Sequence, residues 1–298
     1  MPIQFPISGN DESIIRSYRE RGFSVVHRMF SARELEEVKA EVQHYLARDI
    51  SGAKPGDFIF ENNAEKSLRC AFRMHEHSDY FNSLMRKPSL ITLVQRLFGD
   101  ADAIADGTML INKVPLAAYE FPYHQDNAYQ FWTPPDALGV TLALDESSAE
   151  SGAIVCLEGS HTQGILPHQP SGVLGASRSL VSMPKAAEYA EVTLSLQPGD
   201  VSLHHVNVIH HTGPNRTANH RRLLGFSYHS SRSLCDEVAR SQYERDLKIF
   251  LHKSQSGSKS YPSLILNVPS KHKEAHALLK KGFFDGLKTF RDFETRTE

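Results

Sequence analysis

The chain has 298 residues, with 33 basic against 35 acidic side chains and a formal net charge of −2. That balance supplies no field to recruit nucleic acid or an anionic membrane. An apolar share of 40% allows a sizeable core, yet no apolar run nears the roughly 20 residues of a membrane helix, so membrane insertion is not expected either.

Three scattered cysteines, Cys70, Cys156 and Cys235, form neither a disulfide framework nor a C-x-x-C pair. No basic segment followed by an apolar run opens the sequence, so a reducing, cytoplasmic setting is expected. In chain order, "DESIIRSYRERG" reads as a helix ended by Gly22, and "FSVVHRMF" as a strand. "SARELEEVKAEVQHYLAR" places Ser31 three residues before Glu34, with Leu35, Val38, Val42 and Leu46 at helical spacing. That is a capping-box helix. "PSLITLVQRLFGD" follows as another helix, with Pro88 at its start and Gly99 past its end.

From about residue 104 the pattern changes. "TMLINKVP", "GVTLALDE", "GAIVCLEG", "AEVTLSL", "DVSLHHVNVIHH" and "RRLLGFSYH" are strand-sized runs separated by turn residues, which suggests a barrel or two-sheet sandwich. After about 231, "SQSGSKSYPS" reads as a loop and "KHKEAHALLKKGFFDGLKTFRDF" as a closing helix. The expectation is one domain over 1–298, mainly β with flanking helices. It has a helical part to about 103, a β core from about 104 to 230, and a loop and helix from about 231 to 298.

The chemistry starts at "FPYHQDNAYQFWTP", 121–134. Residues i and i+2 of a strand share a face, so His124 and Asp126 project together. Alone the pair is weak and reads as a strand-edge accident. The segment 196–229 strengthens it. One strand there carries His204, His205, His210 and His211, and Arg221 and Arg222 open the next. A distant histidine joining an H-x-D pair is the layout of a facial triad, which holds non-haem Fe(II) and leaves three positions open.

Taken together, "GFSVVHRMFS", "TMLINKVP", "HQD", "ESGAIVCLEGSH" and "PGDVSLHHVNVIHHTGPNRT", in that order, resemble the phytanoyl-CoA dioxygenase family of Fe(II)/2-oxoglutarate oxygenases. The resemblance implies a double-stranded β-helix, a jelly-roll or cupin-like core with the metal near one open end. It matches His124 and Asp126 to two metal ligands and His210 to the third, with His211 the alternative, since a slip of one residue turns the side chain to the other face. Arg221, eleven positions after His210, matches the basic residue that binds the far carboxylate of 2-oxoglutarate. The planar fork of an arginine suits that task. Thr212 matches an assisting hydroxyl, and Gln125 and Met109 match positions lining the cosubstrate, though Met109 reads equally as core filler.

His204 and His205 are read as hydrogen-bonded structural residues, because six residues of strand span about 20 Å and separate His204 from the metal. His161 is read as structural. Lys113, on the face of Met109, is read as touching cosubstrate or substrate, or as a solvated rim residue. Tyr123, Tyr129 and Trp132 are candidate pocket walls or core. Arg73, with Arg69, His75 and His77, is a candidate for substrate contact or a surface segment.

The reaction implied by the resemblance consumes 2-oxoglutarate and O2, releases succinate and CO2, and hydroxylates a C–H bond of a small molecule. Asp126 argues for hydroxylation, or a desaturation or cyclisation variant of it, over halogenation, where related enzymes replace the carboxylate to admit chloride. A metal-dependent hydrolase or a cupin-like binding protein with the same ligands remains open. Neither substrate identity nor oligomeric state is legible.

Overall fold

The computed structural model describes residues 9–49, 57–60, 67–184 and 188–255. Helix α1 (Gly9–Arg21) ends at Gly22, as its sequence implies. Gly22 has φ +86°, and a Cβ there would meet the His161 ring at 2.6 Å, so the turn requires glycine on two counts. Strand β1 (Phe23–Val26) and helix α2 (Ala32–Asp49) follow. The cap of α2 is reciprocal. The Glu34 amide donates to Ser31 Oγ at 3.3 Å, and the Ser31 amide to Glu34 Oε2 at 2.9 Å.

The stretch before residue 103 is less helical than its sequence suggests. It contains β2 (Phe58–Phe60) and β3 (Leu68–Phe72) as well as α3 (Met74–His77), α4 (Asp79–Leu84) and α5 (Pro88–Leu97). Short strands at a sheet edge carry little alternation to read. Helix α5 starts at Pro88 and buries Leu90, Leu93, Val94 and Leu97 on one face.

The core begins with β4 (Ala103–Lys113) and β5 (Phe121–His124). Helix α6 (Asn127–Gln130), β6 (Trp132–Thr133), β7 (Ala137–Ala143) and β8 (Ile154–Leu157) follow. A hairpin of β9 (His168–Val173) and β10 (Ala176–Leu180) leads to β11 (Glu191–Thr193). The core then closes with β12 (Val201–His205), β13 (His210–Thr212) and β14 (Arg221–Ser230). Two pieces remain, β15 (Leu234–Cys235) and α7 (Glu237–Gln255).

One sheet has seven strands in the order β1-β12-β7-β14-β4-β3-β2, and the facing sheet has four in the order β11-β8-β13-β5. The neighbours pair antiparallel. The chain therefore crosses between the sheets repeatedly, which makes the expected double-stranded β-helix.

Two expectations are corrected. "DVSLHHVNVIHH" is not one strand. β12 belongs to the large sheet and β13 to the small one, with a turn at 206–209 between them. The turn lacks Gly and Pro, so its apolar residues read as continuous strand. The stretch after 231 is also not simply a loop, since α7 occupies 237–255. Its apolar spacing is weak, and Val238 is exposed. The closing helix read at 271–293 lies outside the described residues.

The two faces of the large sheet pack differently. Leu138, Val140, Leu203 and Leu224 turn outward and join Val38, Phe81 and Val94 of the helices in the main hydrophobic cluster. Residues of opposite parity turn inward. Leu223 and Ala143 meet Cys156 and Ile154 of the facing sheet.

Candidate metal centre

Strand β5 ends at His124, and Asp126 lies past it, at the N-terminal cap position of α6 with helical φ and ψ. The pair is therefore not two residues of one strand, as its i, i+2 spacing suggests. A turn swings the carboxylate back toward the imidazole, and Asp126 Oδ1 lies 3.7 Å from His124 Nε2. From β13, His210 pairs with His124 across the small sheet. Its Nε2 is also 3.7 Å from Asp126 Oδ1. The ligand atoms of His124, Asp126 and His210 all lie within 4.8 Å of one another. His211 points to the other face, where its ring packs 4.0 Å from that of Tyr123.

Proton positions follow from the partners. His124 Nδ1 faces Pro122 O at 2.7 Å and His210 Nδ1 faces Val208 O at 3.1 Å. Each Nδ1–H donates to a carbonyl, so both Nε2 lone pairs point at Asp126. Burial pushes both rings below their ordinary range, His210 down to about 3. Burial alone would raise the Asp126 carboxyl, but His210, His204 and His124 hold it well below the ordinary carboxylate range. Two neutral imidazoles and one carboxylate, converging from one side, fit an octahedral divalent ion such as Fe(II).

The two turns that carry these ligands are bound to each other. The Asn127 amide donates to Val206 O at 2.9 Å. Gln125 Nε2 donates to Asn207 O and Gly164 O, both at 2.7 Å, and Gln125 Oε1 accepts from the Leu166 amide at 2.7 Å. Both carboxamide hydrogens of Gln125 are thus spent on backbone, and its expected contact with cosubstrate gives way to a structural one. His168 completes the support. It accepts from the Gln125 amide at Nε2 (3.0 Å) and faces Leu166 O through Nδ1 (2.8 Å). Burial holds its pKa down to about 3. Nothing in the sequence around His168 marks this role.

Arg221 opens β14 and is fully buried. Its Nη2 donates to Gly152 O at 2.9 Å, while Nε and Nη1 have no partner among the described residues. Burial lowers its pKa to about 10, so it stays charged at neutral pH. A buried guanidinium with two free donors is costly unless an anion completes it, and a carboxylate matches that fork. Thr212, on the face of β13 that carries His210, accepts from the Phe121 amide at 3.4 Å. Lys113 pairs with Arg221 across β4 and β14. It is no solvated rim residue. It is fully buried, with Nζ bonded to Gly213 O and, at 3.3 Å, to Tyr119 O. Burial, then the charge of Arg221, lowers its pKa to about 6. Met109 shares the inner face of β4 with Lys113, opposite Gly225.

The aromatic candidates separate. Tyr129 stands edge-on to His124, 5.7 Å between ring centroids. Its hydroxyl donates to Arg178 O at 3.0 Å and accepts from the Arg178 amide at 3.1 Å. Tyr123 leaves the metal side. Its neighbour His124 takes the inner face, and its hydroxyl bonds Glu191 among the outer residues of the small sheet. Trp132 serves as packing. Its buried ring stacks on His229 at 3.8 Å, beside Ala137 and Val206. Arg73 pairs with Asp57, which also lies 3.5 Å from His77 Nε2.

His204 is hydrogen-bonded and outside the ligand group, as expected, but it stands far closer to the site than a continuous strand allows. Its Nε2 lies 2.9 Å from Asp126 Oδ2, and its ring centroid 4.9 Å from that of His210. The 20 Å estimate assumed one continuous strand, and the reversal at 206–209 removes that assumption.

The sequence profile of the phytanoyl-CoA dioxygenase family matches residues 18–223. A probable alpha-ketoglutarate-dependent hypophosphite dioxygenase of Stutzerimonas stutzeri is 30% identical over 220 residues, 72% of this chain and 76% of that one. The peroxisomal phytanoyl-CoA dioxygenase of Homo sapiens is 24% identical over 230 residues, covering 72% and 67%. Among solved structures, the non-haem alpha-ketoglutarate-dependent epimerase SnoN from nogalamycin biosynthesis shares the fold. It superposes with a TM-score of 0.61 at 23% identity, over 75% of this chain and 84% of that one. EctD from S. alaskensis, solved with 2-oxoglutarate and 5-hydroxyectoine, gives 0.62 at 20% identity, over 77% and 78%.

Proposed function

The chain belongs to the phytanoyl-CoA dioxygenase family of Fe(II)/2-oxoglutarate-dependent oxygenases, and we propose that it hydroxylates an unactivated C–H bond of a small metabolite or natural-product intermediate, releasing succinate and CO2. The reading takes 1–298 as one oxygenase unit acting in the cytoplasm. The observation that carries it is Arg221, a fully buried guanidinium whose Nε and Nη1 lack partners among the described residues, in a barrel that also brings His124, Asp126 and His210 together. A hydrolase built on the same three ligands has no use for that cation.

In this reading His124, Asp126 and His210 hold Fe(II) on one face. The bound metal, with 2-oxoglutarate and O2, supplies the oxidising power for the C–H bond. The protein supplies geometry. His124 and His210 keep Nε2 directed inward because their Nδ1 atoms are tied to Pro122 O and Val208 O. Arg221 and Thr212 take the distal carboxylate of the cosubstrate, and buried Lys113, its Nζ bonded to Gly213 O and Tyr119 O, packs beside Arg221 at that end. Tyr129, fixed by Arg178, is a rigid wall beside His124, and keeps water from that side of the metal.

The test is anaerobic. Fe(II) and then 2-oxoglutarate are added to the purified protein, and the expected result is a weak visible charge-transfer band that saturates with 2-oxoglutarate. A folded protein that binds Fe(II) yet gives no band ends the oxygenase reading in favour of the hydrolase.

A further inference from the structure

We propose that His204 is a positioning residue that holds Asp126 to the metal through a single oxygen, an inference that rests on the oxygenase reading above. On β12, Val201 and Leu203 turn to the outer hydrophobic cluster, so alternation turns His204 inward. The ring lies across Gly139 of β7, its partner in the sheet. A Cβ at Gly139 would come within 2.5 Å of His204 Cε1 and 2.6 Å of Nε2. Glycine at 139 thus creates the place the imidazole occupies.

From there His204 Nε2 reaches Asp126 Oδ2 at 2.9 Å. The other carboxylate oxygen, Oδ1, is the one equidistant from the two ligand histidines, 3.7 Å from each Nε2. The carboxylate therefore divides its work, with Oδ2 accepting from His204 and Oδ1 facing the metal position. The division matters because an octahedral ion held by two imidazoles and one carboxylate oxygen keeps three positions open. Two of these would be available to a chelating 2-oxoacid and one to O2. A carboxylate swung round to bind through both oxygens would close one of them.

His204 is a poor structural filler. It is buried, and its Nδ1 has no hydrogen-bond partner among the described residues, so the ring is held by Asp126 on one side and by shape on the other. An apolar residue there would avoid that penalty. Its place is explained by what Nε2 does for Asp126.

The test compares the unsubstituted protein with His204→Ala, His204→Gln and Gly139→Ala. Fe(II) affinity is measured anaerobically by competition with a chromophoric chelator. The charge-transfer band of the Fe(II)·2-oxoglutarate complex is recorded alongside, with thermal unfolding as a folding control. His204→Ala is expected to weaken Fe(II) binding about tenfold or more and to shift the band. In His204→Gln the side-chain amide again offers a donor to Asp126, so most of both is recovered. Gly139→Ala removes no polar group yet displaces the ring, so it reproduces the loss. Should His204→Ala not fold, the Gln and Gly139 variants decide.

Wild-type affinity and an unchanged band in the Ala or Gly139 variant overturn the proposal, as does a Gln variant that behaves like Ala. Should the unsubstituted protein bind Fe(II) without any band, the oxygenase reading fails. The affinity ratios alone then decide whether His204 steers Asp126.

Discussion

The two faces of β14 differ in what they bury. Leu224, Phe226 and Tyr228 face outward into hydrocarbon shared with the helices, and the Tyr228 hydroxyl is satisfied by Met85 O at 2.6 Å. Arg221 and His229, of the opposite parity, bury polar atoms with no partner among the described residues, as do His204 and Ser202 on β12. Each apolar side chain on the outer face contributes roughly 1.5–3 kcal/mol to folding. Each unsatisfied polar group on the inner face costs about 1–3 kcal/mol. The outer layer stabilises the barrel, and the inner layer spends some of that stability on being ready for ligands.

The sharpest way to break this contrast is to cut into the outer layer. Leu224→Ala is expected to destabilise the protein by about 2–5 kcal/mol, read by urea unfolding, while the folded fraction binds Fe(II) with unchanged affinity. A loss below about 1 kcal/mol would mean the outer layer is not where the stability resides.

Three residues away on the same strand, Arg221→Met is expected to do the reverse. Removing a buried cation with unfilled donors leaves the ligand-free protein as stable or more so. Affinity for 2-oxoglutarate falls by about 100-fold, the equivalent of roughly 3 kcal/mol for hydrogen bonds to a charged group. Calorimetry with Fe(II) present reads this directly. Loss of iron along with the cosubstrate would show that Arg221 supports the ligand histidines instead.

The smallest effect lies at the surface of the helical layer. The side chain of Lys87, then Ser31, lowers the Glu34 pKa from 4.5 to about 2. A depressed carboxyl contributes stability above its unfolded pKa and loses it as pH falls through the folded one. The stability difference between wild type and Glu34→Gln should therefore be full above about pH 5 and shrink towards zero near pH 2. A difference independent of pH over that window would remove the Lys87 pairing as its cause.

Legibility in the sequence followed the same division. The outer layer was readable because it is local. The capping box at Ser31 and Glu34 and the apolar stripe of α5 lie within one or two turns of chain. The fold brings the H-x-D pair and His210 together, and these candidates, with Arg221 eleven positions on, were readable through the family resemblance. The contacts that assemble them were not. The reversal at 206–209 is held by donors from Gln125 and Asn127, about eighty residues upstream, and no local signal announces it. Missing that turn hid the contact of His204. Alternation, which sets His210 and His211 on opposite faces of β13, separates Tyr123 from His124 within β5 in the same way. Gln125 and His168 support the site through backbone partners that no pattern of residue types reveals.

The bonds that join the two ligand-bearing turns use backbone atoms and the Gln125 carboxamide, and none uses the donor atoms of His124, Asp126 or His210. Folding alone therefore finishes the socket, and an arriving ion needs no rearrangement of the chain. Such a socket discriminates weakly among divalent metals of similar size, which bind nitrogen and oxygen donors in an order that ranks Fe(II) below Co, Ni and Cu. Occupancy by iron then depends on which metal the cell offers, and mismetallation by a tighter-binding competitor is the inhibition to which this architecture is most exposed.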